Sequence, residues 1–145
     1  MGELQTLASV EVTVTFLEMA SPLAHYPPLP YGRQIALLKT RNIPLHFYRY
    51  LQDRIGRKWQ WVNALRLSDE ELSAKIHAPG RDIRVLYLDG APAGFFDLRP
   101  EPRGPVELAY FGMMEQAMGQ GLGRWFLGAA IEAAWSHNPT AVTVQ

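Results

Sequence analysis

The stretch MGQGLGRWFLGAAIEAAW, residues 118–135, places glycines at alternate positions directly before a long apolar segment. Within that segment and just after it, Arg124, Glu132 and Ser136 fall on one narrow line of a helix, so the pattern predicts a helix buried on most sides. The N-terminus of a helix presents unpaired N–H groups and a partial positive charge, and glycine lets an anion approach the backbone. The spacing favours a phosphate site, with a plain tight turn as the alternative.

The residues before the glycines predict an antiparallel meander over 83–112. IRVLYL and APAGFFDL flank an Asp-Gly pair, which is typical of a tight hairpin turn, and VELAYFG follows a second turn. After the helix, TAVTVQ at 140–145 predicts a strand that a helical crossover makes parallel to 106–112. The expected fold is α/β (α+β), with a mixed sheet in which a meander precedes a strand-helix-strand crossover.

The first half of the chain carries weaker patterns. VEVTVTF alternates valine with polar residues and predicts a strand over 10–16 with one buried face. Prolines between positions 22 and 30 predict a loop, and IALLK at 35–39 predicts a short strand. Two helices are expected, the first over about 45–55 between Asn42 as N-cap and Gly56 as stop, the second over about 69–77 behind the capping-box pair Ser68 and Glu71.

Composition limits the classes of function. The 145 residues predict one domain, 1–145. The chain has no cysteine and its four histidines are scattered, so no metal site is expected. Basic and acidic residues balance at 14 each without a basic run, which argues against nucleic acid and against an anionic membrane as partners. Neither a signal peptide nor a membrane span is recognisable, so a cytoplasmic location is expected.

The stretch MGQGLG resembles the Gln/Arg-x-x-Gly-x-Gly/Ala signature of the GCN5-related N-acetyltransferase (GNAT) family, which follows an antiparallel meander at a strand-to-helix junction. Gly121 and Gly123 match the signature glycines, Met118 stands where the family has Gln or Arg, and the likeness runs over residues 83–145. It implies acetyl-coenzyme A as donor and a small-molecule or peptide primary amine as acceptor. The implied coenzyme-binding residues are Phe111, Gly112, Met113 and Met114 for the pantetheine arm, and Met118, Gly119, Gln120, Gly121, Leu122, Gly123 and Arg124 around the pyrophosphate.

Transfer to an amine needs a proton acceptor, because an alkylamine with a pKa near 10.4 is almost entirely protonated at pH 7. The family often uses a glutamate on the strand that corresponds to VELAYF, which implies Glu107, with Asp97 on the neighbouring strand as the second candidate. Apolar surroundings that include Phe95 and Phe96 would raise the pKa of Glu107 into a useful range. The alternative is that Glu107 is an ordinary strand carboxylate facing water.

Two further questions stay open at the level of sequence. Tyr48, Tyr50, Trp59 and Trp61 are either the lining of an acceptor pocket or ordinary core aromatics. The protein is either an acetyltransferase or a non-catalytic acyl-coenzyme A sensor or interaction module. The family's usual general acid, a tyrosine on a later helix, has no counterpart before Gln145.

The family's domain continues beyond the strand that corresponds to 141–145. The sequence therefore predicts an incomplete domain, or one completed by a second copy or another partner. Residues 141–145 are expected to form an open sheet edge, through which a homo-oligomer would pair.

Overall fold

The structure, a computed structural model, describes residues 2–7, 10–15, 17–30, 32–57 and 61–144. Phe16, Trp59 and Gln145, on which predictions were made, lie outside these ranges. The strands are β1 (Gly2–Leu7), β2 (Val10–Thr15), β3 (Leu17–Met19), β4 (Ile35–Lys39), β5 (Asp82–Leu88), β6 (Ala91–Pro100), β7 (Val106–Met113) and β8 (Val142–Val144). The α-helices are α1 (Leu45–Gly56), α2 (Asp69–Ile76) and α3 (Gly123–Trp135), and short 3-10 turns lie at Ala64–Arg66 and Glu115–Ala117.

The main sheet has six strands in the order β3-β8-β7-β6-β5-β4. Strands β5, β6 and β7 form the predicted antiparallel meander. After α3 the chain returns as β8, which is parallel to β7 with Val106 opposite Val142 and Leu108 opposite Val144. The predicted α/β fold with a strand-helix-strand crossover is confirmed.

Helices cover both faces of this sheet. The side of α3 holds one apolar cluster, which includes Phe96, Phe126 and Leu122. The opposite side, under α1 and α2, holds a second cluster around Tyr48, Leu51 and Phe95. Along the meander strands, successive side chains alternate between the two clusters, which is why these strands read as nearly continuous apolar runs. Within the described ranges, no helix is long and apolar enough to cross a membrane.

Val10–Thr15 is a strand, as predicted, and β2 pairs in a separate two-stranded sheet with β1, a strand that was not predicted. The expected open edge at 141–145 is wrong for the described residues 142–144, because β3 pairs antiparallel with β8. The margin of the sheet is therefore β3, and the backbone of β8 has a partner strand on each side.

Helix ends follow local chemistry. Ser68 and Glu71 form the predicted capping box at the start of α2. The prediction that Asn42 caps α1 is wrong, because the N-cap position falls on Pro44, whose side chain cannot accept a hydrogen bond. Asn42 instead adopts a φ of 47°, a left-handed turn conformation that asparagine tolerates. Gly56 ends α1 as predicted.

The proline-rich segment between β3 and β4 lies against α3. A Cβ atom built on Gly128 would stand 2.8 Å from Cδ of Pro27, so the glycine allows the segment to seat directly on the helix. At the far end of the same segment, Arg33 donates to Asp89 at 3.1 Å and to the side chain of Gln120. The segment is thus tied to the loop that precedes α3.

Candidate functional site

The loop before α3 has the backbone of a cradle. Gly119 and Gly121 have φ values of 75° and 78°, a conformation that residues with a Cβ adopt at a cost. A Cβ built at either position would have no heavy atom within 4 Å, so the space beside the backbone is open. Open space beside two left-handed glycines is what a close approach of a ligand to this backbone requires.

The backbone N–H groups of this loop have no backbone partner in the described part of the chain. From residue 119 to residue 125 none donates to a backbone carbonyl, and the first that does is that of Phe126, to Leu122 at 2.9 Å. Helix α3 also lacks a side-chain cap and has no acidic residue in its first turn. Helix α2 differs on both points, since it has a capping box and three acidic residues there. The N-terminus of α3 therefore keeps donors and positive dipole available for an anion.

Two arginines lie beside the cradle. Arg33 reaches it through Gln120, whose amide nitrogen donates to the carbonyl of Gln116 at 2.7 Å. Arg124, in the first turn of α3, lines an open cavity of about 390 Å³ together with Gly121 and Trp125 and with the proline-rich segment at His25 and Tyr26. Arg124 adds positive charge to the site that the sequence predicted for a phosphate, while Arg33 shares its charge with Asp89.

Strand β7 carries an irregularity next to the end of its pairing with β8. Asp97 faces Tyr110 and Leu98 faces Leu108, so Ala109 is an extra residue, a β-bulge. The ladder with β8 is described as far as Leu108, while β7 continues to Met113. The amide of Met114 is already used, since it donates to the carbonyl of Ala93 at 2.7 Å. Because the described pairing with β8 ends at Leu108 and the amide of Met114 is used, the strand edge left for hydrogen bonds to pantetheine consists of Phe111, Gly112 and Met113.

A largely apolar cavity of about 460 Å³ lies beside this edge. It reaches both faces of the sheet. On the side of α3 it touches Phe111, Leu127 and Ile131, and on the other side it touches Trp61 and Tyr110. A slot of this kind gives one ligand access from the face of α3 and a second ligand access from the opposite face.

Glu107 lies on β7, on the face away from α3. Its register partner is Arg99, and the Arg99 Nη1 to Glu107 Oε1 distance is 3.3 Å. The phenylalanines expected around it, Phe95 and Phe96, pair further along β7 with Gly112 and Phe111. The expected apolar setting is wrong because the hairpin register places an arginine opposite the carboxylate. The Glu107 side chain is 29% exposed, so a second reactant can reach it.

Asp97, the second candidate for the base, lies in a buried network. Arg81 donates to both carboxylate oxygens, at 2.6 and 2.8 Å, and the hydroxyl of Tyr48 donates to Oδ2 at 2.6 Å. Gln52 in turn donates to the Tyr48 hydroxyl at 2.9 Å. Burial and the neighbouring Asp97 raise the pKa of Tyr48 far above its usual range, so the phenol stays a donor. Asp97 is thus engaged in holding α1 to the sheet, which favours Glu107 for proton transfer.

The four aromatic residues predicted as a weak pocket have different positions. Tyr48 is 1% exposed and belongs to the core. Tyr50 lies on the outer surface of α1, stacked on Phe47. Trp61 lines the 460 Å³ cavity and packs edge-on against Tyr110, with ring centroids 5.1 Å apart. Trp59 lies outside the described residues.

Sequence reasoning missed Arg99, Tyr110 and Glu18 as neighbours of the site. Arg99 had a signal, because residues 99 and 107 are equally distant from the middle of the RPEPRGPVE turn and therefore face each other in a hairpin. Tyr110 is half-buried, and burial together with Asp97 raises its pKa, so it is a neutral phenol in the cavity wall. The sequence carries no such signal for Glu18, because the position of Glu18 depends on the pairing of β3 with the distant strand β8.

Comparison with known proteins gives matches at the level of structure. No protein-family model and no curated protein matches the sequence. An aminoglycoside acetyltransferase from an uncultured soil metagenomic sample matches with a TM-score of 0.60 and 13% identity, over 77% of this chain and 76% of that one. A GNAT-family acetyltransferase from Streptococcus pneumoniae TIGR4 matches with a TM-score of 0.55 and 14% identity, over 77% and 75%.

Other matches are longer proteins, of which this chain spans less than half. A conserved protein of unknown function from Staphylococcus epidermidis ATCC 12228 has a TM-score of 0.56 and 17% identity, over 79% of this chain and 44% of that one. A tandem GNAT protein from the clavulanic acid biosynthesis pathway has a TM-score of 0.57 and 17% identity, over 90% and 43%. At these identities the likeness concerns the fold, and the described chain has a GNAT-like fold.

Proposed function

We propose that this protein is an N-acetyltransferase that binds acetyl-coenzyme A at the loop before α3 and transfers the acetyl group to a primary amine. The observation that carries the proposal is the uncapped start of α3. Its N–H groups from residue 119 to residue 125 lack backbone partners beside two left-handed glycines, in a GNAT-like fold. The first N–H groups of any helix lack backbone partners, but here the row extends back to residue 119 and is neither capped by a side chain nor covered by one at Gly119 or Gly121, which suits a pyrophosphate.

The coenzyme fits the chain in two parts. The amides of residues 119–124 and the nearby Arg33 and Arg124 would hold the pyrophosphate, since all are donors or cations around one open loop. The edge of β7 at 111–113 would hydrogen-bond the pantetheine arm, as an added strand does. The 460 Å³ slot then brings the end of the arm to Tyr110 and Leu108, and Glu107 is the residue directly before Leu108 on β7.

Bound acetyl-coenzyme A supplies the acetyl group as a thioester. Glu107 accepts one proton from the acceptor ammonium, which frees the nitrogen lone pair to bond to the acetyl carbonyl carbon. The carbon–sulfur bond breaks and the sulfur leaves with the electron pair as a thiolate. The second proton lost by the nitrogen then neutralises this thiolate and gives free coenzyme A as a thiol. Trp61 and Tyr110 exclude water from the slot and position the acceptor.

A coenzyme-binding sensor without turnover is the second candidate, and one observation favours it. The ion pair with Arg99 occupies an oxygen of Glu107, so the base is engaged while no acceptor is present. A sensor would keep this ion pair when coenzyme binds. An enzyme would open it when the acceptor arrives.

Two measurements test the proposal. Coenzyme A should raise the melting temperature, with a stabilisation of about 2.7 kcal/mol at a hundred times its dissociation constant. Release of free thiol from acetyl-coenzyme A, followed with a panel of amines that includes an aminoglycoside and amino acids, then separates enzyme from sensor. Absence of coenzyme binding would contradict both candidates, and binding without amine-dependent thiol release would leave the sensor.

A further inference from the structure

Four side chains form a row across the sheet on the face away from α3. In order of strands β6, β7, β8 and β3 they are Arg99, Glu107, Thr143 and Glu18. Directly opposed residues on neighbouring strands point to the same face. The residues that alternate with them pack with the cluster under α3, namely Leu98, Leu108, Val142 and Met19. The row therefore lies on the same side of the sheet as Trp61 and Tyr110.

Charge changes sign along this row. Glu18 lines the 460 Å³ cavity at one end, and Glu107 follows one strand beyond Thr143. At the other end Arg99 shares the walls of two smaller cavities, about 70 and 290 Å³, with Lys75 and Arg81. The β3–β7 end of the row is thus acidic, and the end at β6 and α2 is basic.

The cations at the basic end differ in their availability. Arg81 is 7% exposed and bidentate on the fully buried Asp97, so it is committed to the fold. Arg99 is 49% exposed, and its pair with Glu107 is single and long, at 3.3 Å. Exposed pairs of this kind contribute little to stability. Lys75 is exposed, and its charge also acts on Glu71 one turn earlier on α2, whose pKa it helps to lower.

We propose that the acceptor is a zwitterion, an amine that carries a carboxylate or phosphate within a few bonds of the nitrogen. This rests on the proposed acetyltransferase function and names its acceptor class. The anion of the ligand binds Arg99 in place of the Glu107 carboxylate, with Lys75 nearby. The ammonium of the ligand binds Glu107 in place of the Arg99 guanidinium. The exchange leaves the Glu107 oxygens to accept from the ammonium, so binding of the acceptor itself frees the base. Trp61 and Tyr110 favour an apolar or aromatic substituent on the acceptor.

Matched acceptors test the inference without any variant. Phenylalanine, phenylalanine amide and phenethylamine share the aromatic ring and the amine, but only the first carries an anion. Phosphoethanolamine against ethanolamine asks the same question for a phosphate. We expect kcat/KM to be about ten- to a hundredfold higher for an anionic member, the range for one hydrogen bond to a charged group. Equal or higher kcat/KM for the neutralised compounds overturns the inference while acetyl transfer itself stands.

Variants locate the effect. Arg99→Gln should lower kcat/KM for phenylalanine by about ten- to a hundredfold. The value for phenethylamine should not fall, because that amine has no anion to bind Arg99 and the change releases Glu107 from its ion pair. The control is Arg41→Gln, which removes an exposed cation near β4 at the other edge of the sheet. An equal loss for both acceptors in Arg99→Gln, or the same loss in the control, would contradict the proposal.

A binding measurement keeps the test independent of turnover. Calorimetric titration of phenylalanine and of phenethylamine into the protein saturated with coenzyme A should show tighter binding of phenylalanine. If no amine is acetylated but phenylalanine still binds more tightly, the zwitterion remains the class of ligand that the site binds, and the proposed enzyme function fails. If phenylalanine does not bind more tightly than phenethylamine, the zwitterion proposal fails whether or not acetyl transfer occurs.

Discussion

At the scale of single residues, Asp97 and Glu107 show how differently two strand carboxylates are used. Asp97 is fully buried and takes hydrogen bonds from Arg81 and Tyr48, whereas Glu107 is partly exposed and meets one nitrogen of Arg99. A buried, fully bonded carboxylate stabilises the fold only while its partners remain. A partly exposed one in a weak pair is available to a ligand.

Removal of the partner of Asp97 should therefore be costly. Arg81→Met leaves an uncompensated buried charge, and we expect the free energy of unfolding to fall by about 3–5 kcal/mol. Chemical denaturation measures it, with the exposed pair of Arg57 and Asp53 as comparison, for which Arg57→Met should change stability very little. Similar losses in the two variants would show that the Asp97 network is not special.

Glu107 carries the prediction for catalysis. Glu107→Gln keeps the shape of the side chain but removes the proton acceptor, so kcat should fall by about 10²–10⁴-fold while the dissociation constant of coenzyme A stays nearly constant. Glu132→Gln, an exposed change on α3, is the matched control. A near-normal rate in Glu107→Gln would transfer the role to another group or to solvent.

Asp82 gives a pH dependence with a definite sign. Burial raises the pKa of Asp82, but hydrogen bonds from Arg84 and His137 outweigh burial and hold the pKa below its ordinary value of 3.8. Its contribution to stability is therefore complete above pH 3.8 and is lost as the pH falls through the folded-state pKa. The difference in unfolding free energy between the wild type and Asp82→Asn should be largest near neutral pH and shrink below pH 3.8. A difference that grows in acid would contradict this assignment.

How far the sequence predicts a residue's role depends on how local its partners are. The Arg99–Glu107 pair is symmetric about one turn, so the hairpin register makes it predictable. The network of Asp97, Arg81 and Tyr48 joins β6, the residue before β5 and α1, and only tertiary packing brings them together. For this reason the sequence suggested Asp97 as a candidate base, whereas the structure shows it as a buried group bonded to Arg81 and Tyr48.

At the scale of elements, the start of α3 is the most testable feature. Gly121→Val puts a branched side chain into the open space of the cradle and strains a backbone with φ of 78°. Gly80→Val, in the turn before β5, meets the same conditions, with φ of 83° and no heavy atom within 4 Å of its Cβ. Both variants should lose similar stability, but only Gly121→Val should lose affinity for coenzyme A in a calorimetric titration. Equal affinity for coenzyme A in the two variants would contradict the proposal that this loop binds the phosphate groups.

Strong local signals explain which elements were predictable. The meander, the capping box of α2 and the glycine-to-helix junction each depend on residues close in sequence, and the structure has all three. Strand β3 is a three-residue segment whose partner, β8, is at the other end of the chain. Its sequence carries no turn or periodicity that names this partner, so the covered edge of β8 was not predictable.

At the scale of the whole molecule, β3 closes the sheet beside the slot. Met19 packs against the cluster under α3, and its sulfur accepts from Nε1 of Trp135 at 3.3 Å. Met19→Asp places a charge in that cluster and should release β3, leaving the edge of β8 free to pair with another copy. Light scattering should then show self-association that increases with concentration, whereas the exposed control Glu18→Gln should behave as the wild type. A monomeric Met19→Asp protein would show that β3 does not protect this edge.

The contact between Gly128 and Pro27 matters for anyone who wishes to make this protein more heat-resistant. A glycine inside a helix is an obvious target for replacement by alanine, which improves helix propensity by about 1 kcal/mol. Here the added methyl group would meet the proline ring at 2.8 Å, and the neighbouring segment carries Arg33 on the cradle loop. A substitution chosen from helix propensity alone would therefore push on the proline-rich segment and, through it, on the residues proposed to hold the coenzyme. Any thermostabilising library for this chain should keep position 128 as glycine.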